Sequence, residues 1–259
     1  MIVWSIANQK GGVGKTTTTV SLAGLLCERG ARVLLVDTDP HASLTTYLNI
    51  DTETVSASLF DLFQLTDITE STVKPIVMPT AYEGIDIIPA HMSLATLDRV
   101  MGNRGGMGLI LKKALLSIRE HYDYVLIDCP PILGVMMVNA LASSDRILIP
   151  VQTEFLAMKG LERMIRTLQI MQKSRSSPFK VCIVPTMYDK RTKASMQTLQ
   201  ELKTRYPEKV WASAIPIDTK FRDASLKHMP PSMYAKGSRG VFAYKTLLNY
   251  LRRLDQDDR

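Results

Sequence analysis

Short, uninterrupted apolar runs alternate with longer stretches of helical periodicity from one end of this 259-residue chain to the other. The runs at 2–7, 32–36, 124–127, 146–150, 179–184 and 210–215 are rich in Ile, Val and Leu. They do not alternate with polar residues, the pattern of parallel strands covered on both faces. Between them the apolar spacing predicts helices over 16–29, 109–121, 135–142, 158–172 and 192–206, the first closed by Gly30. Such strand–helix alternation predicts an α/β fold: a single doubly wound, mostly parallel sheet with helices on both faces, one domain over residues 1–259. No internal repeat or low-complexity linker divides the chain. Residues 174–178 read as a turn, and the least regular region, 51–105 with its glycine-rich 102–106, reads as an elaborated crossover.

Composition narrows the class. A hydrophobic content of 46% with 22% charged residues is that of a globular protein. No apolar run approaches the roughly 20 residues of a membrane-spanning helix. The amino terminus lacks the basic start of a secretory leader, so a cytoplasmic location is expected. Cys27, Cys129 and Cys182 offer no Cys-x-x-Cys pair, which argues against a disulfide framework, a zinc site or a bridging iron–sulfur cluster. Cys129 is expected to be partly exposed. The net charge of +7 is unevenly spread: residues 1–156 carry 11 Lys and Arg against 16 Asp and Glu, residues 157–259 carry 21 against 9. Charged surface is often merely solvated, but a basic carboxyl half raises the prospect of a polyanionic partner.

The chemistry sits in Lys10-Gly11-Gly12-Val13-Gly14-Lys15-Thr16-Thr17, directly after the first strand and opening the first helix. Gly-x-x-x-x-Gly-Lys-Thr in that context is a phosphate-binding P-loop, whose glycines let backbone N–H groups converge on phosphate oxygens at a helix amino end. Lys15 is expected to reach the β and γ phosphates, with the Thr16 hydroxyl on Mg²⁺. Four apolar residues followed by Asp128 place a carboxylate at a strand's carboxyl end, where it faces the same metal. No Asn-Lys-x-Asp occurs, so the usual guanine-reading aspartate is missing and ATP is the expected nucleotide.

An ordinary P-loop has no use for a second lysine, yet Lys10 opens this one. Lys10-Gly11-Gly12-Val13-Gly14-Lys15-Thr16-Thr17 resembles the deviant Walker A loop of the ParA/MinD family of positioning ATPases. That resemblance implies that Lys10 reaches a partner subunit's nucleotide across a dimer interface. Val36-Asp37-Thr38-Asp39-Pro40 resembles the family's switch I (around 37–44), with Asp39 positioning the attacking water near Mg²⁺. His41 departs from the glutamine common there. Residues 122–131 resemble Walker B and the start of switch II (around 128–135). The likeness covers nearly the whole chain and is weakest over 51–105. The opening Ile2-Val3-Trp4, the Asp39-Pro40-His41 variant and Val184-Pro185-Thr186 are similar to the ParC branch, which positions chemotaxis arrays at the cell pole.

By the same resemblance, Thr186 and Pro216 lie near the base, and the protein is a homodimer in its ATP state with an activating partner protein. The resemblance also implies slow, partner-stimulated ATP hydrolysis and a place at a cell pole or on the nucleoid. Arg191, Lys220 and Arg222, in the basic stretch 157–254, fit a non-specific DNA patch, though Ile217 stands where many relatives carry arginine. A MinD-like membrane anchor is not expected. Leu247, Leu248, Leu251 and Leu254 form the stripe of a packing helix, and the following tail, 255–258, is acidic. The alternatives are a flagellar-number or MinD-like regulator of the same family, or a metabolic or redox P-loop enzyme.

Overall fold

The computed structural model describes residues 1–101 and 107–257. The glycine-rich stretch 102–106 and Asp258 lie outside the described residues. Strands β1 (Ile2–Ile6), β2 (Val33–Asp37), β3 (Met78–Pro79), β4 (Ile85–Ile88), β5 (Tyr124–Asp128), β6 (Arg146–Gln152) and β7 (Lys180–Thr186) form one sheet in the order β3-β4-β2-β5-β1-β6-β7. Every pairing is parallel except that of β3 with β4.

Non-alternating strands bury both faces, and the side chains sort accordingly. Trp4, Ile6, Val33, Leu35, Leu126 and Leu148 enter one core. Val3, Leu34, Val36, Val125, Ile127 and Ile149 enter the other. The first core is closed by helices α1 (Lys15–Cys27) and, at the far end of the chain, α12 (Arg239–Asp257). The second is closed mainly by α6 (Ile110–Ser117), α7 (Val135–Ser143) and α8 (Phe155–Gln172). The remaining α-helices among the described residues are α2 (Ser43–Tyr47), α3 (Leu59–Leu62), α4 (Glu70–Val73), α5 (Leu94–Met101), α9 (Lys193–Arg205), α10 (Lys220–Leu226) and α11 (Pro231–Tyr234).

Two expectations need correction, and one feature is new. Residues 210–215 do not form a strand: Val210 makes one isolated bridge to Ile183, and only single bonds follow. The irregular region contributes β3 and β4 to the sheet edge, where Ile85, Ile87 and Ile88 are buried. The acidic tail is in part structural, because the Asp255 carboxylate accepts hydrogen bonds from Arg146 and from the Trp4 indole. Leu247, Leu248 and Leu251 are fully buried; at about 1.5–3 kcal/mol per leucine this stripe is committed to the core. No helix of the described residues is long and apolar enough to cross a membrane.

Candidate functional site

Parallel strands deliver their carboxyl ends to one edge of the sheet, and the loop between β1 and α1 lies on that edge. Gly12 and Gly14 have φ of 74° and 91°, a left-handed backbone that a Cβ would strain. The loop is tied down from three sides. The Thr186 hydroxyl donates to the Val13 carbonyl at 2.9 Å. The Asn8 amide donates to the Pro150 carbonyl at 2.8 Å, and its oxygen accepts the Lys10 N–H at 3.1 Å. Held in this way, the backbone from Gly11 to Gly14 leads straight into the amino end of α1. Converging N–H groups at a helix amino end make an anion cradle. Lys15 is buried beneath it, its Nζ 3.4 Å from the Lys10 carbonyl. The cleft above, about 310 Å³, is lined by Gly11, Gly12, Lys15, Thr16, Asp39 and Asp128 among others.

Two carboxylates end neighbouring strands in register, Asp37 on β2 and Asp128 on β5. The Thr16 hydroxyl donates to Asp128 at 2.6 Å. Burial, then the neighbouring Asp37 charge, pushes the Asp128 carboxyl up to about 7 against the pull of Thr16 and Lys15. Burial likewise raises Asp37 to about 6, although Thr45 and the Asp39 N–H oppose the shift. Asp39 is half-buried and accepts the His41 N–H at 3.0 Å. Cys129, expected to be partly exposed, is buried, and burial raises its thiol.

Among the described residues no cluster of three or more His, Cys, Asp or Glu has metal-binding geometry. A hydroxyl–carboxylate pair nevertheless suits Mg²⁺, which takes one or two protein ligands and completes its shell with phosphate oxygens and water. The residues present therefore fit Mg²⁺ bound together with a nucleotide.

A second cleft, about 480 Å³, continues from the first, with which it shares Gly14, Thr17 and Met187. Thr186, Pro216, Ile217, Phe221, Arg222 and Tyr244 line it. Thr186 and Pro216 thus fall together as expected, but the Thr186 hydroxyl is spent on the loop. Arg222 lies on this cleft. The other two cations of the expected DNA patch are paired locally: Arg191 with Asp189 at 2.7 Å and Lys220 with Asp223 at 2.9 Å. Lys10 forms an ion pair with Glu154, the residue that opens α8. Phe155 and Leu156, which follow Glu154, stand exposed, as do Ile132 and Leu133 in the segment after Asp128. Sequence reasoning singled out neither Asp37 nor Glu154; the first was signalled by Asp-x-Asp at a strand end, the second by nothing local.

Cradle, buried lysine, hydroxyl–carboxylate pair and a doubly wound sheet together define a P-loop nucleotide-binding protein. Residues 1–181 match the AAA_31 family, described as AAA domain. The chain is 36% identical over 244 residues to the sporulation initiation inhibitor protein Soj of Bacillus subtilis, covering 94% of this chain and 95% of Soj. It is 34% identical over 258 residues to the chromosome partitioning protein ParA of Caulobacter vibrioides, covering 98% and 95%. The crystal structure of cobyrinic acid a,c-diamide synthase from Mycobacterium smegmatis, with bound ADP and magnesium, superposes with a TM-score of 0.84 at 33% identity, covering 100% of this chain and 97% of that one. The chain belongs to the ParA/MinD family of P-loop ATPases.

Proposed function

We propose that this protein is an Mg-ATP-dependent dimerisation switch that hydrolyses ATP to control where a cargo sits in the cell. The observation that carries the reading is the joining, at one edge of the sheet, of a phosphate cradle and a second lysine on the same loop. Gly11 to Thr17 hold the phosphates through backbone N–H groups, and Lys15 supplies a fixed cation. Thr16 and Asp128 hold Mg²⁺, which when bound neutralises charge on the β and γ phosphates. Asp39 orients the attacking water; phosphoryl transfer asks for alignment more than for a strong base. Pro216, Ile217 and Phe221 offer an apolar bed for the base, with Thr186 behind it.

Lys10 opens the loop that lines the cleft and pairs with Glu154, which the exposed Phe155 and Leu156 directly follow. Large exposed apolar side chains around a charged cleft are a surface for a partner, and a second copy of the chain is the partner that Lys10 needs to act in trans. Within a monomer Glu154 neutralises Lys10, so closure exchanges one anionic partner, the carboxylate, for another, the partner's phosphates. The family members named above have partitioning and sporulation roles. The ParC-like features point to a chemotaxis array as cargo and a cell pole as address, with a nucleoid-bound cargo as the alternative. The likeness to the M. smegmatis cobyrinic acid a,c-diamide synthase supports a second reading, a metabolic synthase.

Gel filtration with ADP, ATP and a non-hydrolysable analogue tests the switch. The parent should elute as a dimer only with ATP or the analogue. Lys15→Ala should lose nucleotide binding, Lys10→Ala should bind but remain monomeric, and Asp39→Ala should dimerise without turnover. A parent that stays monomeric with ATP refutes the switch; ATP turnover that depends on added cobyrinic acid would support the synthase instead.

A further inference from the structure

We propose that Thr45 is a positioning residue for ATP hydrolysis, setting the switch I loop through Asp37. The inference rests on the reading of Asp39 as the residue that orients water. Thr45 lines neither cleft. It is fully buried on α2, just past the loop that carries Asp39.

One carboxylate grips that loop at both ends. Asp37 Oδ1 accepts the Asp39 N–H at 3.1 Å, where the loop leaves β2. Asp37 Oδ2 accepts both the N–H and the hydroxyl of Thr45, at 2.9 and 2.8 Å, where the loop enters α2. The Thr45 oxygen in turn accepts the Ala90 N–H at 3.0 Å. Thr45 therefore joins three segments: the end of β2, the start of α2 and the chain leaving β4. Its hydroxyl is donor to one and acceptor from another, a pair of bonds that serine can also make and valine cannot.

The loop needs such a clamp. Ala42, its last residue before α2, has φ of 52°, a left-handed backbone that a non-glycine residue holds only when its surroundings enforce it. At five residues α2 is too short to hold itself. With the Thr45 hydroxyl gone, Asp37 loses a donor and the Ala90 N–H loses its acceptor. Asp39 is then free to wander from the water it aligns. The phosphate cradle and Lys15 are untouched, so nucleotide binding remains.

The test uses the full chain, with Mg-ATP turnover measured against ATP concentration and analogue binding measured at equilibrium. Thr45→Val should lose about tenfold or more in kcat, while its KM and analogue affinity stay within about twofold of the parent. Thr45→Ser should restore kcat to within about twofold of the parent. Amide exchange over residues 38–44 in nucleotide-free protein reads the clamp without turnover. It should speed up about tenfold in Thr45→Val and not in Thr45→Ser. If valine fails to fold, Thr45→Ala takes its place with the same expectation. Parent-like kcat and exchange in the variant lacking the hydroxyl would overturn the proposal. So would a serine variant as defective as valine, or a loss of affinity in proportion to kcat. If the parent turns over no faster than Lys15→Ala, the ATPase reading fails, and the exchange arm still decides whether Thr45 sets the loop.

Discussion

Replacing Asp255 with alanine tests how the carboxyl-terminal helix is held to the sheet. Arg146, the first residue of β6, is only 4% exposed. Its guanidinium meets Asp255 through Nε and Nη2, each 2.9 Å from Oδ1. The other carboxylate oxygen accepts the Trp4 indole N–H at 3.0 Å. Asp255 sits in the last turn of α12, where the helix dipole disfavours a negative charge, and these donors offset that cost. Removing one member of a buried pair costs about 3–5 kcal/mol, because the other charge stays behind. For a chain of this size that is a fall in Tm of about 6–20 °C. Urea denaturation of the parent, Asp255→Ala, Asp255→Asn and the double variant Arg146→Met/Asp255→Leu measures it. Asparagine should fall between parent and alanine, since it can still accept from Trp4. The double variant should lie closer to the parent than Asp255→Ala, because no charge is left buried. A stability of Asp255→Ala within about 0.5 kcal/mol of the parent would refute the buried pair.

Two further predictions concern the site. Asp37 and Asp128 titrate in the folded chain at about 6 and about 7, above the ordinary 3.8. The folded protein therefore binds more protons than the unfolded one across that window, and this contribution to stability is present at pH 4 and lost as pH rises through 7. Asp128→Asn should raise the stability of the nucleotide-free protein at pH 8 by up to roughly 4 kcal/mol and change it little at pH 4, while abolishing Mg²⁺ dependence. Denaturation curves at the two pH values that shift equally would contradict this. For DNA, titration of the ATP-bound Asp39→Ala protein by fluorescence anisotropy should show weak, sequence-independent binding that falls steeply with salt. Arg222→Glu should cost more than Arg191→Glu, since Arg191 already has Asp189 as its partner; equal losses would place the contact surface elsewhere.

The amino-acid sequence by itself determined the doubly wound class, the glycine loop after β1 and the carboxylate that ends β5. Each is written in contiguous residues: a β-branched run, a glycine spacing, a carboxylate at a strand end. Residues 210–215 looked like a sixth strand because Val, Trp and Ile are apolar, yet apolar character reports burial and not pairing. Conversely, β4 was obscured by the irregular residues around it and became a strand only when β2 offered it an edge. Partnerships between distant positions were decided by the tertiary structure alone. Glu154 meets Lys10, Asp255 meets Arg146 and Trp4, and Thr45 joins Asp37 to Ala90, because parallel strands carry residues far apart in sequence to the same edge or face. Charge balance obeys the same limit. The sequence counts a basic carboxyl half, but only folding shows that Arg191 and Lys220 are locally neutralised and that Arg222 lines the cleft. A motif survives as sequence because its geometry is local, whereas a clamp built from three segments exists only once the sheet has brought them within hydrogen-bonding distance.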